Sequence, residues 1–270
     1  MDFQIRKILD IGTSEPWVAR LWFGMLKFRD AVYTGDERLA FDEKYAPVLD
    51  NLYECYRAVI SLRKTIEEHE AKVLSQEIFH VQNGHLTVTE TIDTEMTEAF
   101  KNFFIKGKIA INNLVPLSKF MGCNISFVLV KEAEKFEYGA SRIPVRSPFV
   151  QPLVERLRKH RDFWLLRFLN ERDEIEHESY QRLTVKYNIQ SNTVHAQFPL
   201  IDDIGLVDLT QKLWQYLYTF VEDVRIHLFR LKLPPQILIG IVPKAERDPQ
   251  MPLKYVIGGI DPSAIQEEKK

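Results

Sequence analysis

The sequence predicts a mainly α protein, a bundle of about five long helices decorated with small β-hairpins. Three observations lead there. Apolar residues recur at three- and four-residue spacing through five long stretches. Short β-rich runs with partial alternation lie between them. Proline, glycine and asparagine punctuate the ends.

The first helix opens at Ser14-Glu15-Pro16, a hydroxyl cap followed by a proline at an early helical position, and runs from Trp17 to Tyr33 with Gly35 ending it. A second helix is expected from Pro47 to His80, on a stripe of Leu49, Leu52, Tyr56, Val59, Ile60, Ile66, Val73, Leu74 and Ile78. Asn83-Gly84 reads as its stop, and His85 to Ile92 as a short strand. Asp93 or Thr94 caps a third helix through Leu114, with Met96, Phe100, Phe103, Phe104, Ile109 and Ile111 inward and Pro116 and Gly122 closing it. Ile125 to Val130 reads as a strand or a buried helical segment. Tyr138 to Pro148 is a connector and the expected boundary between an N-terminal region, 1–140, and a C-terminal region, 141–270. A fourth helix spans Phe149 to Tyr180, followed by a hairpin that turns at Ser191-Asn192. A fifth runs from Leu206 to Leu231, stopped by Pro234-Pro235. Short β runs follow at Ile237–Val242 and Lys254–Ile257.

With 270 residues the chain is long enough for a substantial core, and 45% hydrophobic and 27% charged residues are ordinary for a globular protein in water. A formal net charge of −2 argues against a generally basic nucleic-acid-binding surface and leaves room for a local basic groove. Cys55 and Cys123 are the only cysteines and have no CxxC spacing, which fits a reducing cytoplasm and excludes a thiolate-zinc site. No apolar run has membrane-spanning length, and Met1-Asp2-Phe3 lacks the basic-then-apolar design of a secretion signal.

The stretch richest in chemistry is Arg172-Asp173-Glu174-Ile175-Glu176-His177, late in the fourth helix. Histidine titrates near neutrality and can move a proton, while arginine presents a permanently charged planar fork suited to phosphate. In-line RNA cleavage needs a proton shuttle and positive charge at the phosphorane, so the pair is a plausible ribonuclease constellation. Five helical positions set Arg172 and His177 about 140° apart on an ideal helix. Convergence on one atom therefore calls for two copies across a two-fold axis. Asp173, at i−4 from His177, can orient the imidazole.

An arginine, a polar residue, three variable residues and a histidine at this place resemble the signature of the HEPN superfamily (higher eukaryotes and prokaryotes nucleotide-binding). The resemblance rests on Leu169 to His177 and on helix order. It implies a helical bundle and a homodimer, possession of RNA or a nucleotide as ligand, and in many members metal-independent endoribonuclease activity without a cofactor. It also implies a protein partner such as an antitoxin. On that reading Arg172 clamps the phosphoryl group, His177 moves the proton, Asp173 orients it, and Arg158, Lys159 and Arg167 supply nucleic-acid contacts. Glu171, Glu174, Glu176 and Glu178 crowd acid around the motif and would repel a phosphate backbone unless they point away. The plain alternative is a non-catalytic helical interaction protein in which Arg172 pairs with a neighbouring glutamate and His177 satisfies a helix end.

A third reading uses two Glu-x-x-His pairs, Glu77/His80 and Glu174/His177, as in four-helix di-iron proteins, with Glu98 and Glu222 as lone carboxylates. Chance spacing competes with it. Arg225 and His227 read as complements to the dipole at the end of the fifth helix. Trp164, Trp214, Tyr216 and Tyr218, at helical spacing beside leucines, read as packing residues before base-stacking ones.

Overall fold

The computed structural model describes residues 16–82, 85–143, 147–176, 183–190 and 193–260. The protein is mainly α, with small antiparallel strand pairs, as the periodicity predicts. The helices are α1 (Pro16–Val32), α2 (Gly35–Leu74), α3 (Asp93–Phe120), α4 (Ala133–Ser141), α5 (Val150–His160), α6 (Leu166–Glu176) and α7 (Leu206–Lys232). Four hairpins pair β1 (Phe79–Gln82) with β2 (His85–Val88), β3 (Lys186–Gln190) with β4 (Thr193–Gln197), β5 (Leu200–Ile201) with β6 (Ile204–Gly205), and β7 (Ile237–Ile241) with β8 (Tyr255–Ile260).

Helix ends explain most departures from the expected boundaries. α2 stops at Leu74 because Gln76 adopts φ 60° while Gln76 N–H donates to Val73 C=O and Glu77 N–H to Lys72 C=O. This is the paired closure of a Schellman motif, with glutamine where glycine is usual. Residues 79–82 then form β1 instead of a last helical turn, and the expected stop at Asn83-Gly84 lies outside the described residues. α3 continues past Pro116 and ends in the same closure with the expected glycine: Gly122 (φ 80°) donates to Lys119 C=O and Cys123 to Ser118 C=O. α2 likewise tolerates Pro47 inside it. Each proline costs one hydrogen bond without ending a helix held by tertiary packing. The segment read as strand or helix at 125–130 contains a 3-10 turn, Ser126–Leu129. The expected fourth helix is interrupted by a π-type turn at Arg161–Leu165.

The chain forms two compact units. The first comprises Met1–Asp50, Ala110–Phe163 and Thr219–Lys270, and the second Asn51–Ile109 and Trp164–Tyr218. Both draw on residues from each side of the Tyr138–Pro148 connector. In the first unit Leu21, Met25, Phe28, Phe41, Phe220 and Phe229 are buried, and Phe229 stacks near Phe28 and Phe41 at 5.9 and 5.3 Å. In the second, Phe103 and Phe104 of α3 meet Phe168 of α6, and Phe100 packs on Phe104. Gly107 makes that approach possible, since a Cβ there would lie 2.5 Å from Phe168 Cζ. A smaller cluster of Val73, Ile78, Phe79 and Val194, with Leu86 and Tyr187 against it, joins the first two hairpins at the end of α2. Trp164 and Trp214 are buried, as expected of packing residues. Ile60, Leu74 and Ile109, expected inward, are exposed, because a stripe drawn over many turns drifts off the buried face.

Candidate functional site

Arg172 lies one turn after Phe168 on α6, so the packing that fixes Phe168 also fixes the helix that presents the motif. Its guanidinium is claimed by its own neighbours: Nη1 donates to Asp173 Oδ1 at 3.1 Å, and Nη2 pairs with Glu176 at i+4. Its side chain is 23% exposed, and buried Nε has no hydrogen-bond partner among the described residues. Burial first, then the charge of Glu174, raises the Glu171 carboxyl. His177 lies outside the described residues. The chain re-enters them at Leu183, whose N–H donates to Thr97 Oγ1 at 3.2 Å, and Val185 N–H donates to Asp93 Oδ1 at 3.1 Å. The first turn of α3 thus pins the segment that follows the motif.

Of the expected nucleic-acid contacts, Arg167 belongs to the motif's unit and pairs with Asp202 at 2.8 Å. Asp202 and Asp203 form a two-residue hairpin turn at φ 49° and 61°, with Ile201 opposite Ile204. Arg158 and Lys159 belong to the first unit, where Arg158 makes a bidentate pair with Glu137 at 2.8 and 2.7 Å and Lys159 is exposed. Other basic groups stand in the second unit. Arg57 and Lys106, with Ser61, Asn102 and Glu54, line a cavity of about 240 Å³ between α2 and α3.

The Glu-x-x-His pairing at Glu77 and His80 requires correction. Glu77 lies in the turn after α2 and His80 in β1 opposite Thr87, so no helical face joins them. Glu98 and Glu174 are exposed on their helices, and Glu222 is buried against Arg20, whose Nε donates to its Oε1 at 2.8 Å. Among the described residues no three or more His, Cys, Asp or Glu side chains are grouped to hold a metal ion.

The most elaborate polar assembly is one the sequence reading passed over. It centres on Asp223, 1% exposed on α7 in the first unit. Oδ1 accepts from Lys254 Nζ at 2.5 Å and Tyr255 OH at 2.7 Å, and Oδ2 from His160 Nε2 at 3.1 Å. Arg156 Nε stands 3.7 Å from Oδ2. Burial alone would raise this carboxyl, but the hydrogen bond from His160 and the charge and hydrogen bond of Lys254 hold it well below the usual carboxylate range. Tyr255 moves up, by burial and then by the charge of Asp223. One turn on, burial lowers the half-buried His227 imidazole to about 4; Asp223 pulls it upward, while Arg156, Lys254 and His160 push it down.

Arg225 is not a dipole complement. It is fully buried, and Nη1 donates to Leu21 C=O and, at 2.8 Å, to Tyr45 OH. A sequence signal for this assembly did exist: Glu222-Asp223 sit in an otherwise apolar stretch of helix, and Arg156/His160 and Asp223/His227 are both i, i+4 pairs. What the spacing could not give was the third element, Lys254-Tyr255, from a distant strand.

No protein-family model matches the chain, nor does any curated protein sequence or solved structure. Function therefore rests on the residues themselves.

Proposed function

We propose that this chain is a HEPN-like protein that binds RNA or a nucleotide in the cytoplasm and, as a homodimer, cleaves RNA without a metal. The observation that carries the reading is Arg172 on the last turns of α6, half-buried and bracketed by carboxylates. The bracket holds the fork in one orientation five residues before His177 in the sequence. In this mechanism an incoming phosphodiester replaces Glu176 on Nη2 and Asp173 keeps its hold on Nη1. His177 takes the proton of a 2′-hydroxyl or returns one to the leaving 5′-oxygen. At the α2–α3 cavity of the same unit Arg57 pairs with Glu54 at 3.4 Å, and Lys106 beside them adds a positive charge for a neighbouring phosphate. Helix and hairpin alone, with both Arg172 Nη atoms held by Asp173 and Glu176, support the non-catalytic interaction protein as the second reading.

The test is cleavage and retention of single-stranded RNA in EDTA. Wild type should cleave, His177→Ala should bind without cleaving, and Arg172→Gln should lose both. Glu176→Gln, which removes the competitor for Nη2, should strengthen RNA retention about twofold, the scale of a part-exposed ion pair. A wild-type protein that neither retains nor cuts RNA overturns the proposal in favour of the interaction reading. Cutting without retention of the His177 dependence overturns the mechanism.

A further inference from the structure

The Asp223 assembly has no part in the reading above, and its charges do not balance. Among the described residues, Glu222, Asp223 and Arg225 of α7, together with the side chains that pair with them, carry four permanent cations (Arg20, Arg156, Arg225 and Lys254) against two carboxylates. Glu222 is matched by Arg20, and Arg225 is held by neutral oxygens. Asp223 alone faces Arg156 and Lys254, plus the imidazole of His160, with His227 one turn away. Lys254 alone neutralises Asp223, so Arg156 is a second cation beside one carboxylate, and it stands toward solvent.

The surplus is also reachable. Side-chain exposure rises from 1% at Asp223 through 12% at His160 and 17% at Lys254 to 39% at Arg156. The carboxylate is thus the floor, and the donors above it open to solvent. Arg156 turns Nε toward Asp223 at a distance beyond a hydrogen bond, which leaves its fork uncommitted to that carboxylate. Asp223 in turn fixes Lys254 and His160 by direct hydrogen bonds, so the donors are held before a ligand arrives.

We infer that Arg156, His160, His227 and Lys254 form a binding site for a phosphate monoester or inorganic phosphate dianion, with Asp223 as the group that positions the donors. Arg156 supplies the planar fork and Lys254 a point charge. His227 supplies an N–H donor that requires no net charge, and His160, whose Nε2 already donates to Asp223, adds a second N–H for the ligand as an imidazolium.

The test uses the full chain and two probes, inorganic phosphate and a 5′-mononucleotide, with the imidazole signals of His227 and His160 followed by NMR at constant ionic strength. Saturable binding at or below about 1 mM is expected, a level that separates a built site from ionic screening. A bound dianion should raise the His227 pKa by at least about one unit, because it favours the imidazolium. Arg156→Gln, at a part-exposed position whose loss leaves the fold intact by thermal melting, should weaken binding at least about tenfold. Saturation by phosphate alone marks the free ion as ligand, and tighter binding of the nucleotide marks a phosphoryl group on a larger molecule. Arg172→Gln should leave the response in place, so failure here and failure of the RNA reading are separate results. No saturable shift up to about 10 mM, an equal response to chloride, or an unchanged response in Arg156→Gln overturns the inference.

Discussion

Asp223 and Arg172 are both charged residues on helices, each bound by more than one partner of opposite sign, yet they are built in opposite ways. The partners of Arg172 are its neighbours at i+1 and i+4, and all three side chains meet solvent. The partners of Asp223 come from α5, from the first residue of β8 and from Lys254 just before it, 63, 32 and 31 residues away in sequence, and enclose a carboxylate that solvent scarcely reaches. The first is a local arrangement that any isolated helix could make, and its worth in water is small. The second exists only when three elements have assembled, and breaking it leaves Tyr255 and Lys254 without the acceptor they share. The difference teaches that a sequence motif and a structural hub need not coincide: one is visible as spacing, the other only as convergence.

That contrast can be broken most forcefully at the hub. Asp223→Ala should destabilise the protein by about 2–4 kcal/mol in urea denaturation, because Tyr255 and Lys254 lose their shared acceptor while Arg156 keeps its access to solvent. A loss under about 1 kcal/mol would mean that the assembly is peripheral to folding.

Acid probes the same place more gently. The unfolded chain binds a proton at His227 near pH 6.5, whereas the folded chain does so only near 4. A depressed histidine therefore takes stability away as pH falls through that window, by roughly 1.4 kcal/mol per unit. Denaturation curves between pH 6.5 and 4.5 should show that slope, and His227→Gln should remove that much of it. Asp223, also depressed, holds its full contribution above the ordinary carboxylate pKa and loses it progressively as pH falls below that value.

In the second unit, stability should instead answer to shape. Gly107→Ala places a methyl group against Phe168 and Leu217, with an expected cost of about 1–3 kcal/mol in the same assay. Arg172→Gln comes last, with a change within about 0.5 kcal/mol, since its partners are neighbours on a solvated face. A large loss there would erase the distinction between the two regions.

Much of the helical pattern was legible because its physical cause is local. α1 and α7 begin and end within a residue or so of the positions that proline, glycine and apolar spacing indicate. α3 and α2 ran differently because Pro47 and Pro116 were overridden by packing, and because Gln76 took a backbone conformation that its side chain does not advertise. The turn at 161–165 left no signal either, as it needs no special residue. For the sites the division is the same. Arg172 and Asp173 could be found by spacing, while Lys254-Tyr255 against Asp223 could not, since no local rule ties a strand after a proline pair to the middle of the preceding helix.

Gln76 has one more implication. α2 is halted by two main-chain hydrogen bonds and by Ile78 and Phe79 turning into a pocket shared with Val194, while the residues themselves carry no refusal to coil further. Cut from its surroundings, a peptide covering 51–82 would extend its spiral beyond Leu74, and Glu77 and His80 would line up on one side of it. The same letters thus encode two latent shapes, and the distant strand decides which of them the chain wears.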